Sequence, residues 1–125
     1  RPEDLARHNC IVSRERAYLN RWQFRMDGQK GGEVREIEVA GRVNVSEGEM
    51  QMQLALQGIG IVRLTRLTMA QAIREGALVP LLGDFSADEP VPIHAVYPHR
   101  RHLAPKVPAF VNFLIEKFTP PPWEI

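Results

Sequence analysis

The sequence predicts an α/β domain, and three observations carry that reading. The stretch from Gly58 to Val79 runs glycine turn, short apolar strand, helix, glycine stop and second strand, the compact order of a strand–helix–strand unit. A second loop–helix unit precedes it, opening at Val43-Asn44-Val45-Ser46. Upstream, two segments of alternating polar and apolar residues flank a glycine-rich turn, the pattern of a hairpin.

The elements follow in order. Pro2 to His8 reads as a short helix, with Pro2 suited to its first turn and Glu3 and Asp4 complementing its dipole. Cys10-Ile11-Val12 is a brief strand. Arg21 to Arg25 alternates as a half-buried strand, and Glu36 to Val39 alternates again. Asp27-Gly28 and Gly31-Gly32 between them form the strongest turn signal in the chain. Ser46 as N-cap with Glu49 at N3 reads as a capping box, opening a helix to about Gln57. Met50, Leu54 and Ala55 recur on its apolar side, widened by Met52 and Leu56, and core filling accounts for both methionines. Gly58 ends the helix as a C′ glycine.

Ile59 to Leu64 is nearly all apolar without alternation, which predicts a parallel strand buried on both faces. Thr68, with Gln71 three residues on, caps the next helix. Ala70, Ile73 and Ala77 form its buried side, and Gly76 stops it. Leu78 to Leu82 reads as a strand that Pro80 confines to an edge or irregular position. Gly83 to Pro92 is acidic and rich in turn formers, the best linker in the chain. Val91 to Tyr97 reads as a further strand, and His99 to Pro105 as a polar basic loop. The last helix carries Val107, Phe110, Val111, Leu114 and Phe118 on one stripe, with Pro108 in its first turn, and ends at Thr119-Pro120-Pro121-Pro122.

With 125 residues the chain has the size of one domain or slightly more, and buries roughly two thirds of its unfolded surface. Its 44% hydrophobic and 25% charged residues are ordinary for a soluble globular protein. Lysines and arginines number 16 against 15 acids, and only Arg100 and Arg101 are adjacent arginines, so charge neither demands nor excludes nucleic acid. Cys10 is the single cysteine, which excludes an intramolecular disulfide and any cysteine-based metal site. A reducing, cytoplasmic setting is the default expectation. No signal peptide and no bilayer-spanning stretch is visible. Arg1-Pro2, with no initiating Met, is the start expected of a piece of a longer chain.

No catalytic set emerges. His8 and Cys10 share a strand face by spacing, but no third group orients them. The four histidines lack metal-site spacing, and Gly58-x-Gly60 lacks the third glycine and following helix of a dinucleotide fingerprint. The sequence therefore predicts no enzyme, no cofactor and no metal. The one candidate site is the loop Asn44-Val45-Ser46 with Glu47 and Gly48 at a helix start. First-turn N–H groups there have no helical partner and can bind an anion. Asn44 offers a donor and an acceptor, Ser46 a hydroxyl, and Gly48 leaves the backbone approachable. Plain helix capping is the competing reading, since Glu47 and Glu49 add negative charge at the same place.

The order of these signals resembles the C-terminal half of the effector-binding domain of LysR-type transcriptional regulators. The matching stretches are PEDLARHNCI, then Trp22-x-Phe24 with Asp27-Gly28, then GRVNVSEGEMQMQLALQGIGIVRL from Gly41. AIREGALVPLLGDF from Ala72 and IHAVYPHRRHLAPKVPAFVNFLIEKF from Ile93 complete the series. The resemblance implies a periplasmic-binding-protein-like (type 2) fold with mixed sheets flanked by helices, and two subdomains around a cleft that takes a small inducer, often a carboxylate. It implies that residues 1–85 form most of the second subdomain and that 86–92, with Ser86, Pro90 and Pro92, are a hinge crossing. It further implies that 93–118 return to the first subdomain as a strand and helix, leaving 119–125 as a tail. Effector contacts are implied at Asn44, Val45, Ser46, Glu47 and Gly48.

The function this implies is ligand sensing in a bacterial regulator. That regulator self-associates to a dimer or tetramer and reaches DNA only through an N-terminal winged helix-turn-helix outside this chain, with no membrane partner. A solute-binding protein of a transport system shares the fold and is the alternative reading. A purely structural oligomerisation module is a third, and it predicts no saturable ligand.

Overall fold

Residues 9–12 form the strand around which the chain is arranged in the computed structural model, which describes residues 1–29, 31–87, 92–97 and 104–124. Alternating backbone groups of this strand bond to opposite sides. Ile11 N donates to Ile61 O at 2.8 Å, and Ile61 N donates to Asn9 O at 2.9 Å. On the other side Val12 N donates to Val43 O at 3.2 Å, and Val45 N donates to Val12 O at 2.8 Å. The bridges Cys10–Ile61 and Val12–Asn44 are both parallel, so the order across this small sheet is 43–45, 10–12, 61. Parallel neighbours need a crossover. Helix α1 (Gly48–Leu56) supplies it between the two outer strands.

Two glycines let these strands approach. A Cβ on Gly41 would lie 1.8 Å from Cys10 O, and one on Gly60 would lie 2.3 Å from Asn9 O. The Asn9 side chain fastens the same corner: its Nδ2 donates to Ile59 O at 2.7 Å and its Oδ1 accepts from Arg42 N at 2.7 Å.

The alternation predicts the hairpin, with the second strand starting two residues earlier and ending one earlier than Glu36–Val39. β1 (Arg21–Arg25) pairs antiparallel with β2 (Val34–Glu38), Trp22 opposite Ile37 and Phe24 opposite Arg35. Gly28 and Gly31, at φ 68° and 90°, supply the left-handed backbone of the turn. Trp22 and Phe24 turn inward and join Leu5, Cys10, Val12 and Val39 in one buried cluster, with Phe85 and Leu82 against it. The period-2 geometry sends Ile11 to the opposite face of the central strand, where it is buried too. Pro2–Arg7 is a 3₁₀ helix that buries Pro2 and Leu5.

Both glycine stops hold. Gly58 and Gly76 each take φ 72°. After α1, Gly58 N donates to Ala55 O and Ile59 N to Leu54 O; after α2 (Arg66–Arg74), Gly76 N donates to Ile73 O and Ala77 N to Ala72 O. These are two complete Schellman closures.

The helix starts differ from expectation. Ser46 does not cap α1: the N-cap is Glu47, without a side-chain cap bond, because the Ser46 hydroxyl is engaged by Ser13. Thr68 does not cap α2 either. Thr65 is the N-cap, and the two threonine hydroxyls bond each other at 3.0 Å. Ile59–Leu64 is not buried on both faces. Parallel pairing is confined to Ile61, Ile59 is 41% exposed, and Ile61, Val62 and Leu64 are half-buried. On α1 only Met52 of the predicted apolar side is fully buried, while Met50 and Leu56 are exposed. On α2 Ala70 and Ala72 are buried and Ala77 is exposed.

Leu78–Leu82 forms no strand. Leu82 adopts φ 58° and leads into a 3₁₀ turn at Gly83–Phe85, a left-handed step that ends any extended run. The sheet edge is taken instead by Ser86, which bridges Phe24 antiparallel. Ile93–Tyr97 also pairs with no strand among the described residues, and Val96 is 93% exposed. α3 (Lys106–Lys117) starts with Pro105 as N-cap and Pro108 in its first turn, as expected of proline. None of its side chains is fully buried, so the predicted stripe covers no core in this chain. The tail returns to α2 through Arg74 Nη1, which donates to Pro122 O at 2.8 Å, and the Phe118 ring lies tilted against Trp123 with centroids 5.5 Å apart.

Candidate functional site at the carboxyl ends of the parallel strands

In open α/β sheets, ligands bind beyond the carboxyl ends of the strands, where loops and helix N-termini converge. Here the central strand runs out at Ser13-Arg14-Glu15, and its neighbour runs out at Asn44-Val45-Ser46 into α1. The two loops enclose a concavity of about 370 Å³ lined by Arg14, Glu15, Asn44, Val45, Ser46 and Glu47.

The residue beneath this concavity, Ser13, is pinned by hydrogen bonds. Ser13 is 2% exposed and held on every side. Its N–H donates to Asn20 Oδ1 and its carbonyl accepts from Asn20 Nδ2, both at 2.8 Å. Its hydroxyl oxygen accepts from Arg16 N at 3.1 Å and lies 3.1 Å from Ser46 Oγ. A serine hydroxyl carries one proton and two acceptor positions. Either hydroxyl can donate in the Ser13–Ser46 pair. With Ser13 donating, the Ser46 proton is left for an oxygen in the concavity. The Val45 backbone is fully used, its N–H by Val12 and its carbonyl by Gln51 Nε2 at 2.6 Å. Val45 therefore offers only its side chain and fixes the loop.

Four of the five sequence-predicted site residues, Asn44, Val45, Ser46 and Glu47, thus line one concavity. Gly48 does not line it. A Cβ there would meet Leu64 Cδ2 at 3.5 Å, so its open side faces the segment leading to α2. Sequence reasoning missed Arg14 and Glu15 on the rim and Ser13 and Asn20 beneath it. The signal that finds them is the parallel-strand rule applied to residues 10–12 as well as to 43–45. Electrostatically the site is mixed. Arg14 and the first-turn N–H groups of α1 favour an anion, and Glu15 and Glu47 face the same space with negative charge.

The candidate hinge residues lie apart from this concavity. Ser86 sits at the β1 edge, Pro92 is exposed, and Pro90 lies outside the described residues. His8 and Cys10 are not a reactive pair: His8 is exposed and Cys10 is fully buried, where burial pushes its thiol pKa up. Among the described residues, no cluster of three or more His, Cys, Asp or Glu is placed to hold a metal ion, and no helix is long and apolar enough to cross a membrane. His99, His102 and the Arg100-Arg101 pair lie outside the described residues.

A parallel α/β core with a polar concavity at the carboxyl ends of its strands has the arrangement in which α/β domains commonly bind ligands. The chain belongs to the LysR substrate binding domain family, whose sequence profile matches residues 1–119. It is 32% identical over 115 residues to the HTH-type transcriptional regulator CrgA of Neisseria meningitidis, covering 92% of this chain and 37% of that protein. It superimposes on the solved CrgA regulatory domain with a TM-score of 0.72 at 31% identity, covering 92% of this chain and 54% of that one. The regulatory domain of AphB from Vibrio vulnificus shares the fold at a TM-score of 0.71 and 23% identity. The architecture is thus the periplasmic-binding-protein-like one, and the chain spans about half of a solved regulatory domain and about a third of a whole regulator.

Proposed function

We propose that this chain is the effector-sensing part of a LysR-type transcriptional regulator and that a small polar carboxylate binds at Asn44-Val45-Ser46. One observation carries the reading: the concavity at the carboxyl ends of the parallel strands brings Arg14, Asn44, Ser46 and the α1 N-terminus together. Arg14 is a fork for the carboxylate, and Asn44 and the Ser46 hydroxyl accept or donate to the ligand's remaining polar atoms. Glu47 and Glu15 select for a ligand whose far end is a hydroxyl or ammonium group. The residues from Pro2 to Phe85 act as one subdomain, the 86–92 segment with Ser86, Pro90 and Pro92 as a crossing to the other. Binding shifts the angle between the two by differential affinity for the closed state. Self-association and DNA contact through a separate helix-turn-helix belong to the full regulator, in a cytoplasmic setting. The regulators among the relatives favour this reading over a transport solute-binding protein.

The test is a thermal-shift panel of small carboxylates on the chain and on Asn44→Ala and Ser46→Ala. A ligand that stabilises the parent and loses roughly tenfold in affinity in each variant supports the site. Equal stabilisation of parent and variants removes it.

A further inference from the structure

The opposite end of the same small sheet carries a second concavity, larger and different in charge. It occupies about 690 Å³ and is lined by Arg7, His8, Asn9, Gly41, Arg42 and Ile59, with two alanines completing the wall. No acidic side chain lines it. Neither guanidinium makes a hydrogen bond or a close ion pair among the described residues; Asp4, whose carboxylate is paired with the Arg1 ammonium at 2.7 Å, acts on Arg7 and His8 only through space. The carboxyl-end site, by contrast, sets one arginine against two glutamates.

The floor is preformed. Asn9 spends both side-chain atoms on the backbone of neighbouring strands, at Ile59 and Arg42, and so joins three segments of chain beneath the two arginines. The absence of a Cβ at Gly41 and Gly60 permits that closure. Guanidiniums with no hydrogen-bonded partner among the described residues, over a partly apolar floor, match a bound oxyanion, because each fork presents parallel N–H donors to two oxygens.

We infer that the amino-end concavity binds a small oxyanion, a carboxylate or phosphate, held by Arg7 and Arg42 beside His8 and seated on Ile59. This site is independent of the effector site, being built from the other ends of the same strands. A bound anion there bridges the 3₁₀ helix at Pro2–Arg7 to the loop that opens at Gly41.

The experiment is an amide NMR titration of the chain with inorganic phosphate and, separately, with benzoate, each against chloride at matched ionic strength to remove screening. Saturable shifts at Arg7–Asn9 and Gly41–Arg42 are expected with at least one of the two anions. The anion that saturates identifies the head group. Arg7→Gln and Arg42→Gln, both at exposed positions, each weaken binding roughly tenfold. Arg14→Gln, at the other end of the sheet, leaves it unchanged. Linear, unsaturable shifts with both anions would overturn the inference, and so would unchanged binding in the Arg7→Gln/Arg42→Gln double variant. Neither result bears on the Asn44–Ser46 site.

Discussion

Replacing Gly41 by alanine tests the sheet on which both concavities rest. The new Cβ would lie 1.8 Å from Cys10 O, more than an ångström inside any normal contact, and the obstructing atom is backbone. Relief requires the strand to move, which strains the bond from Cys10 N to Ala40 O at 3.1 Å and the bond from Arg42 N to Asn9 Oδ1 at 2.7 Å. Overpacking costs about 1–3 kcal/mol, and each lost hydrogen bond adds about 1 kcal/mol. The expected loss is therefore about 3–5 kcal/mol, a large part of the stability of a domain this size. Urea unfolding followed through the buried Trp22 reads it directly. Gly83→Ala is the matched control: nothing lies within 4 Å of its Cβ position and its backbone is not left-handed, so its change stays within about 0.5 kcal/mol. A Gly41→Ala loss below about 1 kcal/mol, or one equal to the control, would refute the close approach of these strands.

Gly58→Ala is expected to lose about 1 kcal/mol through its φ of 72° alone, since its Cβ position is open, and Gly58→Asn is expected to recover most of that in the same urea assay. Ser13→Ala removes the acceptor of Arg16 N and the partner of Ser46, for an expected cost of about 1–3 kcal/mol in thermal unfolding; a neutral outcome would show that the floor of the proposed effector site is not held there. Burial raises the Cys10 pKa, so the unfolded thiol ionises first. Its contribution is complete below the ordinary thiol value of about 8.5 and is lost as pH climbs through the raised one. Melting temperature should thus fall more steeply above that pH for the parent than for Cys10→Ala, and parallel curves would contradict the burial.

What could be read from the chain was local. The hairpin follows from Trp22 and Phe24 alternating with polar neighbours and from Asp27-Gly28 and Gly31-Gly32 in between. Both helix stops follow from Gly58 and Gly76. The helix starts were misjudged because capping chemistry is shared. Ser46 has a capping side chain, but its hydroxyl goes to Ser13, 33 residues earlier in the chain. Thr65 and Thr68 are equally good caps, and they bond each other. Apolar runs were overread as strands: Leu78–Leu82 bends at Leu82, and Ile59–Leu64 finds a pairing partner only at Ile61. The candidate effector loop was legible because its polar residues sit together at a helix start. Arg14 and Glu15 were not, since only the parallel pairing of residues 10–12 with 43–45 carries them to that loop.

The most direct test of the effector site is an amide NMR titration of this chain with the carboxylate that gives the largest thermal stabilisation. Saturable shifts centred on Ser13–Glu15 and Asn44–Glu49, with roughly tenfold weaker affinity in Ser46→Ala, are the result predicted here. Saturable binding whose shifts leave both of those segments unmoved would contradict it.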